Sequence, residues 1–190
     1  CCFRYSRKNN YNIYVVTYNE NNEMIIGESI GRTTSITSFY NTDKDSNVKY
    51  GWQTNSIIDP NDQSGISFMS DLSETNPTVS EYMEGAQNNG IYDFKKTNGT
   101  EKAIDDIDIY RGMPIGIDES GTTIYTSARD VGNIMAGYVA GNASIPWPFV
   151  RLACDLYQMY SDIKSRVTPS IEGKSTRNAQ RLGWQKGYKR

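Results

Sequence analysis

Ser127-Ala128-Arg129-Asp130-Val131-Gly132-Asn133-Ile134-Met135-Ala136-Gly137-Tyr138-Val139-Ala140-Gly141 is the stretch on which the fold of this chain turns. It follows a β-like run, Thr122 to Thr126, and opens with Ser-x-x-Asp, a pattern that satisfies the free amides of a first helical turn. Val131, Ile134, Met135 and Tyr138 recur at i, i+3, i+4, i+7 and predict one apolar stripe of a helix. On the other side Arg129, Asn133 and Gly137 stack at i, i+4 spacing, with Asp130 one step round. Ala136/Ala140 and Gly137/Gly141 leave the backbone nearly bare, so another segment or a ligand can approach closely. A polar group above a glycine floor has the make-up of a reaction centre. The same residues have a structural meaning, with Asp130 as a cap, Arg129 as a solvated charge and the glycines as packing surfaces. On this stretch alone the structural meaning carries more weight.

The chain after this helix breaks at Pro146-Trp147-Pro148 and restarts. Phe149, Leu152, Ala153, Leu156, Met159, Tyr160 and Ile163 then predict a second helix, over 148–163, read as a core helix. Its Arg151 and Asp155, one turn apart, are expected to pair on the surface. Residues 171–180 lead into a last helix, which Gly183 weakens. Before the central helix, Asn76-Pro77 reads as a cap with proline in the first turn, opening a helix with Val79, Tyr82, Met83 and Ala86 on its apolar side. In 91–96, taken as extended, Tyr92 and Phe94 share one face and Asp93 and Lys95 the other, the spacing of a surface ion pair. Ile107–Tyr110 and Thr122–Tyr125 read as strands. Tyr11–Tyr18 and Met24–Gly27, joined by a polar loop of about five residues, read as a hairpin. Residues 29–62 read as mostly irregular, with short strands near 36–40 and 48–52. The expected fold is α+β: a β-rich N-terminal part with one helix, packed on a C-terminal helical part. A tether (1–10), a β-rich segment (11–65) and a catalytic region (66–190) complete the division.

The 190 residues suffice for one domain with a proper core. No run of 18 apolar residues is present, so no integral membrane segment is expected. No signal peptide is visible, and the leading Cys1-Cys2 reads as a processing boundary. Three cysteines give neither a disulfide framework nor metal-ligand spacing, and Cys154 reads as core. No metal or other cofactor is expected. The chain has no histidine, which removes the commonest general base and every histidine-dependent triad. Catalysis must then rest on carboxylates, Lys, Arg, Tyr, Ser or Cys. Residues 126–190 hold ten basic and four acidic side chains, against ten and eighteen before them. That basic third either faces an anionic polymer or docks on its own acidic N-terminal part. Asp105, Asp106 and Asp108 read as a solvated loop.

Two motifs together resemble a known family. Tyr92-Asp93-Phe94-Lys95, followed by Arg129-Asp130-Val131-Gly132-Asn133-Ile134-x-x-Gly137, is similar to the bacterial polymorphic toxin type 44 domain, although Ala136 stands where that family has an aromatic. Pro146-Trp147 and Glu172-Gly173-x-Ser175-Thr176-x-Asn178-Ala179-Gln180 look like the C-terminal ends of Rhs-type and type VI secretion effectors. The resemblance covers roughly residues 66–185 and implies a toxin tip, carried by a parent secretion effector scaffold, secreted and delivered into a competing bacterium. It also implies a cognate immunity protein in the producer. Asp93, Lys95, Asp130 and Asn133 are its site candidates, then Arg129, Glu172 and Tyr138, with Gly137 and Tyr92 beside them as substrate-binding positions.

Three chemistries stay open for those residues. In RNA cleavage a carboxylate deprotonates the 2′-hydroxyl while Lys95 or Arg129 stabilises the phosphorane, and 14 tyrosines suit base stacking. Peptidoglycan cleavage needs two carboxyls about 5–10 Å apart, which Asp130 with Asp93 or Glu172 supplies. A receptor-binding tip needs no catalysis. The basic C-terminal third tips the expectation towards RNA.

Overall fold

Asn76 ends one helix rather than beginning the next. In the computed structural model, which describes residues 11–21, 23–33, 58–87, 89–97 and 109–188, α1 (Ser64–Thr75) stops at Asn76, whose φ of 48° is left-handed. Asparagine tolerates that conformation and so serves as a C-cap. The cap of α2 (Val79–Gly85) is Thr78, whose hydroxyl accepts from the Glu81 amide while Glu81 accepts from the Thr78 amide. That reciprocal box, with Pro77 unable to continue α1, fixes the break two residues later than the sequence reading placed it. The helix α1 itself was not expected.

Among the described residues four strands form one sheet in the order β1-β2-β4-β3. β1 (Tyr11–Tyr18) and β2 (Met24–Thr33) pair antiparallel, as the hairpin reading expects. Asn19 organises their turn, its carboxamide oxygen accepting from the Asn21 and Glu23 amides. β3 (Gly112–Ile117) and β4 (Thr123–Ser127) form a second antiparallel pair. The Asp118 carboxylate holds the intervening turn by accepting from the Ser120 and Thr122 amides. Arg32 of β2 pairs with Asp118, and β2 runs parallel to β4 through Arg32↔Ile124 and Thr33↔Tyr125. The sheet thus joins residues from both sides of position 65.

The remaining described elements are helical: α3 (Phe94–Thr97), α4 (Ala128–Asn142), α5 (Trp147–Lys164) and α6 (Lys174–Gly187). The architecture is α+β. The reading of 91–96 as extended is corrected, because Phe94 opens the short turn α3 and buries its ring against Phe68 at 4.7 Å. Ile109, expected in a strand, lies in a helical turn. The tether 1–10, the strands near 36–40 and 48–52, and Asp105, Asp106 and Asp108 lie outside the described residues.

The core centres on α4. Ser127 caps it, its hydroxyl accepting from the Asp130 amide at 3.3 Å. Ile134, Met135 and Val139 pack with Leu72, Tyr82 and Ala179, while Ala128 and Val131 pack with Phe94 and Met113. Each such large apolar side chain contributes about 1.5–3 kcal/mol on burial. The glycine face of α4 is covered by α6, which also brings Ala179 into the core cluster. A Cβ at Gly137 would collide with the Gln180 carbonyl, and one at Gly183 with the Ile134 carbonyl. Only glycine permits main chains to meet so closely.

The helix α5 corrects the expectation that 148–163 supplies core. Val150 is its only buried residue among those described. The period reports that an apolar face exists, not what covers it. Here α4 gives its bare face to α6, and α5 touches both only lightly. Among the described residues no helix is long and apolar enough to cross a membrane.

Candidate functional site

A cavity of about 790 Å³ opens where α2, the segment leading into α3, α4, α5 and the loop before α6 meet. Asp93, Lys95, Arg129, Asn133 and Glu172 all line it, and so does Tyr92. Asp130, Gly137 and Tyr138 are not among its lining residues. Asp130 is 1% exposed, under the first turn of α4. Gly137 is closed off by the Gln180 main chain, so what approaches the bare helix face is α6 and not a ligand.

Asp93 owes its position to a tight turn. Its amide donates to the Gly90 carbonyl at 3.0 Å, and its carbonyl accepts from the Lys96 amide at 2.9 Å. A Cβ at Gly90 would strike the Gly85 carbonyl, so glycine is required for that turn to lie against α2. The Asp93 carboxylate is thereby carried inside, 3% of the residue remaining exposed. There it accepts from the Asn89 amide at 3.0 Å and pairs with the Lys95 ammonium at 3.2 Å. The surface pair expected from sequence therefore has one buried member.

On the α4 wall, Arg129 donates to the Tyr110 hydroxyl at 2.9 Å and lies over its ring at 5.8 Å. Arg129 is exposed, so its guanidinium keeps donors for an incoming anion. Asn133, one turn further, is half-buried. Behind Asp93 the floor is Tyr82, whose hydroxyl donates to the Gly132 carbonyl at 2.9 Å and whose ring stacks on Tyr92 at 5.5 Å. Burial pushes the Tyr82 phenol well up, and the Asp93 carboxylate beside it adds to the shift.

Glu172 and Gln180, on the far wall, belong to a polar cluster that extends behind it. Arg151 donates to Asp155 at 2.6 Å, Glu172 at 2.8 Å and Gln180 at 2.5 Å, while the Gln180 amide donates to Glu172 at 3.1 Å. The Arg177 side chain donates to the Glu172 carbonyl at 2.9 Å. Arg151 is thus no simple surface partner of Asp155. It ties α5, the loop at Glu172 and α6 into one wall. Cys154 lines the cavity beside it, and burial pushes its thiol up to about 12. That thiol is a poor nucleophile at neutral pH.

Sequence reasoning missed Gln180, Tyr110 and Tyr157 as cavity residues, and Arg151 as the side chain that ties Glu172 and Gln180 together. Only Gln180 had a signal, as the end of the Ser175-Thr176-x-Asn178-Ala179-Gln180 run. Among the described residues no group of three or more Cys, Asp and Glu side chains is placed to hold a metal ion. The arrangement joins a buried carboxylate, two cations and an amide along an aromatic-lined hollow, a set suited to proton transfer beside a bound anion. Compared with known proteins, the chain matches no family model, no curated protein and no solved structure.

Proposed function

We propose that this chain is the toxic domain of a secreted interbacterial effector, a hydrolase that cleaves RNA inside the recipient cell. The observation that carries the reading is that buried Asp93 shares one cavity with both Lys95 and Arg129. An RNA phosphate drawn to Arg129 and Lys95 brings the adjacent 2′-hydroxyl towards Asp93. Asp93 takes the hydroxyl proton, the 2′-oxygen attacks phosphorus, and the bond to the 5′-oxygen breaks. The leaving oxygen recovers a proton, and a 2′,3′-cyclic phosphate remains. Lys95 and Arg129 stabilise the charge that builds on the phosphorane oxygens, Asn133 donates to a non-bridging oxygen, and Tyr92, Tyr110 and Tyr157 offer rings for a base. Asp130, buried below, positions the first turn of α4.

The toxin likeness of the 92–95 and 129–137 motifs supports delivery by a larger effector scaffold and neutralisation by a cognate immunity protein. Peptidoglycan cleavage is the second reading, favoured by Asp93 and Glu172 lining the same cavity. It stands behind the first because Arg151 and Gln180 already bind the Glu172 carboxylate. A receptor-binding tip without catalysis is the third.

Induced expression in the bacterial cytoplasm tests the proposal. Wild-type protein should arrest growth and leave degraded RNA, and Asp93→Asn should abolish both. Lysis confined to a periplasm-directed version would replace RNA with the wall polymer. Toxicity in neither compartment would leave only the binding module.

A further inference from the structure

The helix α5 is a ridge with its apolar side turned outward. Phe149, Leu152, Leu156, Met159 and Ile163 follow one another at alternating intervals of three and four residues, one continuous stripe. Phe149 is 64% exposed and Ile163 61%, and Val167 prolongs the row past the helix end at 59%. A row of this length is more than the scattered apolar residues of an ordinary surface.

The charges around the ridge are mainly positive. The four acids of residues 126–190 are all engaged within the protein. Asp130 is buried, Asp155 and Glu172 bind Arg151, and Asp162 accepts from the Ser170 hydroxyl and amide. The Ser170 hydroxyl holds the Asp162 carboxyl below its ordinary range, so Asp162 keeps its negative charge, and Lys164 with Arg166 outnumber it at that end. By contrast Lys164, Arg166 and Arg181 are exposed, and none forms an ion pair with another described residue. Lys164 and Arg166 follow Ile163 at one end of the ridge. Arg181 lies over the Trp147 ring at 5.9 Å at the other.

We infer that the outer face of α5 is a peripheral contact surface for an anionic lipid bilayer. The apolar row enters the boundary between headgroups and acyl chains, and the cations at both ends meet lipid phosphates. A bilayer receives a convex ridge without a matching groove. A second copy fits less well, because both ends are cationic and either orientation sets like charge against like. The inference does not depend on RNA cleavage, since Leu152, Leu156, Met159 and Ile163 lie outside the cavity lining.

Sedimentation of the full 190-residue chain with large vesicles tests it. The protein should sediment with vesicles of equal parts phosphatidylcholine and phosphatidylglycerol, and stay in solution with phosphatidylcholine alone. Leu156→Glu, at an exposed position, should lower partition at least tenfold, and Lys164→Gln and Arg166→Gln about fivefold each. Circular dichroism checks that each variant is folded. Absence of sedimentation with the anionic vesicles overturns the inference, as does equal sedimentation of Leu156→Glu. A monomer–dimer equilibrium in light scattering that Leu156→Glu abolishes, without vesicle binding, would assign the face to a second copy instead.

Discussion

Gly137 of α4 rests against the main-chain carbonyl of Gln180 in α6, and Gly183 of α6 rests against that of Ile134 in α4. The two helices are therefore in backbone contact, and neither glycine has a flexible side chain opposite that could yield. Gly137→Ala and Gly183→Ala should each destabilise the protein by about 3 kcal/mol through overpacking. Gly132 sits in the same helix with nothing within 4 Å of a Cβ placed there. Gly132→Ala should instead stabilise by about 0.5–1 kcal/mol, the ordinary helical gain of alanine over glycine. Urea denaturation of the three variants measures both signs in one helix.

The Arg151 guanidinium is 12% exposed and the Glu172 carboxylate 15%, so their 2.8 Å contact is only weakly screened. Arg151→Met should cost about 3 kcal/mol, because it leaves a half-buried carboxylate without its cation. Glu172→Gln alone should cost less, since Gln180 can still donate to its side-chain oxygen. A double-mutant cycle should return a coupling of about 1–2 kcal/mol. A coupling near zero in thermal melts would show that the wall does not rely on this pair.

What the sequence made legible is what is local. The helix α4 was readable because its cap, apolar stripe and glycine face lie within 15 residues. The start of α2 was placed two residues early, although Thr78-x-x-Glu81 was there to be read as the stronger cap. The turn at Phe94 was missed because alternation over 91–96 imitates a strand, and the burial against Phe68 that opposes it comes from 26 residues away. Five of the six catalytic candidates, Asp93, Lys95, Arg129, Asn133 and Glu172, line one cavity, whereas Asp130 faces the interior. The Arg151 wall was illegible, because Asp155 is its neighbour in sequence while Glu172 arrives on a loop 21 residues on. The exposure of α5 was illegible for a similar reason, since apolar periodicity says nothing of which face finds a partner.

The buried Tyr82 phenol sets an alkaline limit to stability. Its folded value lies above the ordinary 10.0, raised first by burial and then by the Asp93 carboxylate. The folded state therefore prefers the neutral phenol. That preference is fully present below pH 10 and is lost as pH rises past 10 towards the folded value. Tyr82→Phe removes this slope along with the hydrogen bond to Gly132, which contributes about 1 kcal/mol. The variant should be less stable than wild type at neutral pH, and the gap should close or invert above pH 10. Denaturation across that range checks it, and a gap that stays constant would refute the assignment.

Cys154 offers a reading of cavity opening. Burial raises its thiol to about 12, so little thiolate is present near neutral pH. In a background of Cys1→Ser and Cys2→Ser, iodoacetamide should label the folded protein far more slowly than it labels a free thiol of ordinary acidity. The largest cause of the shift is burial, so the rate should rise with events that admit water between α5 and the loop at Glu172. Arg151→Met removes a nearby cation, which by itself would make the thiol less reactive, yet it also loosens that wall. If opening governs access, Arg151→Met should speed labelling of Cys154 at least tenfold, while Lys95→Met, on the opposite wall, leaves it unchanged. Slower labelling in Arg151→Met would mean that local electrostatics, and not the integrity of the wall, controls this thiol.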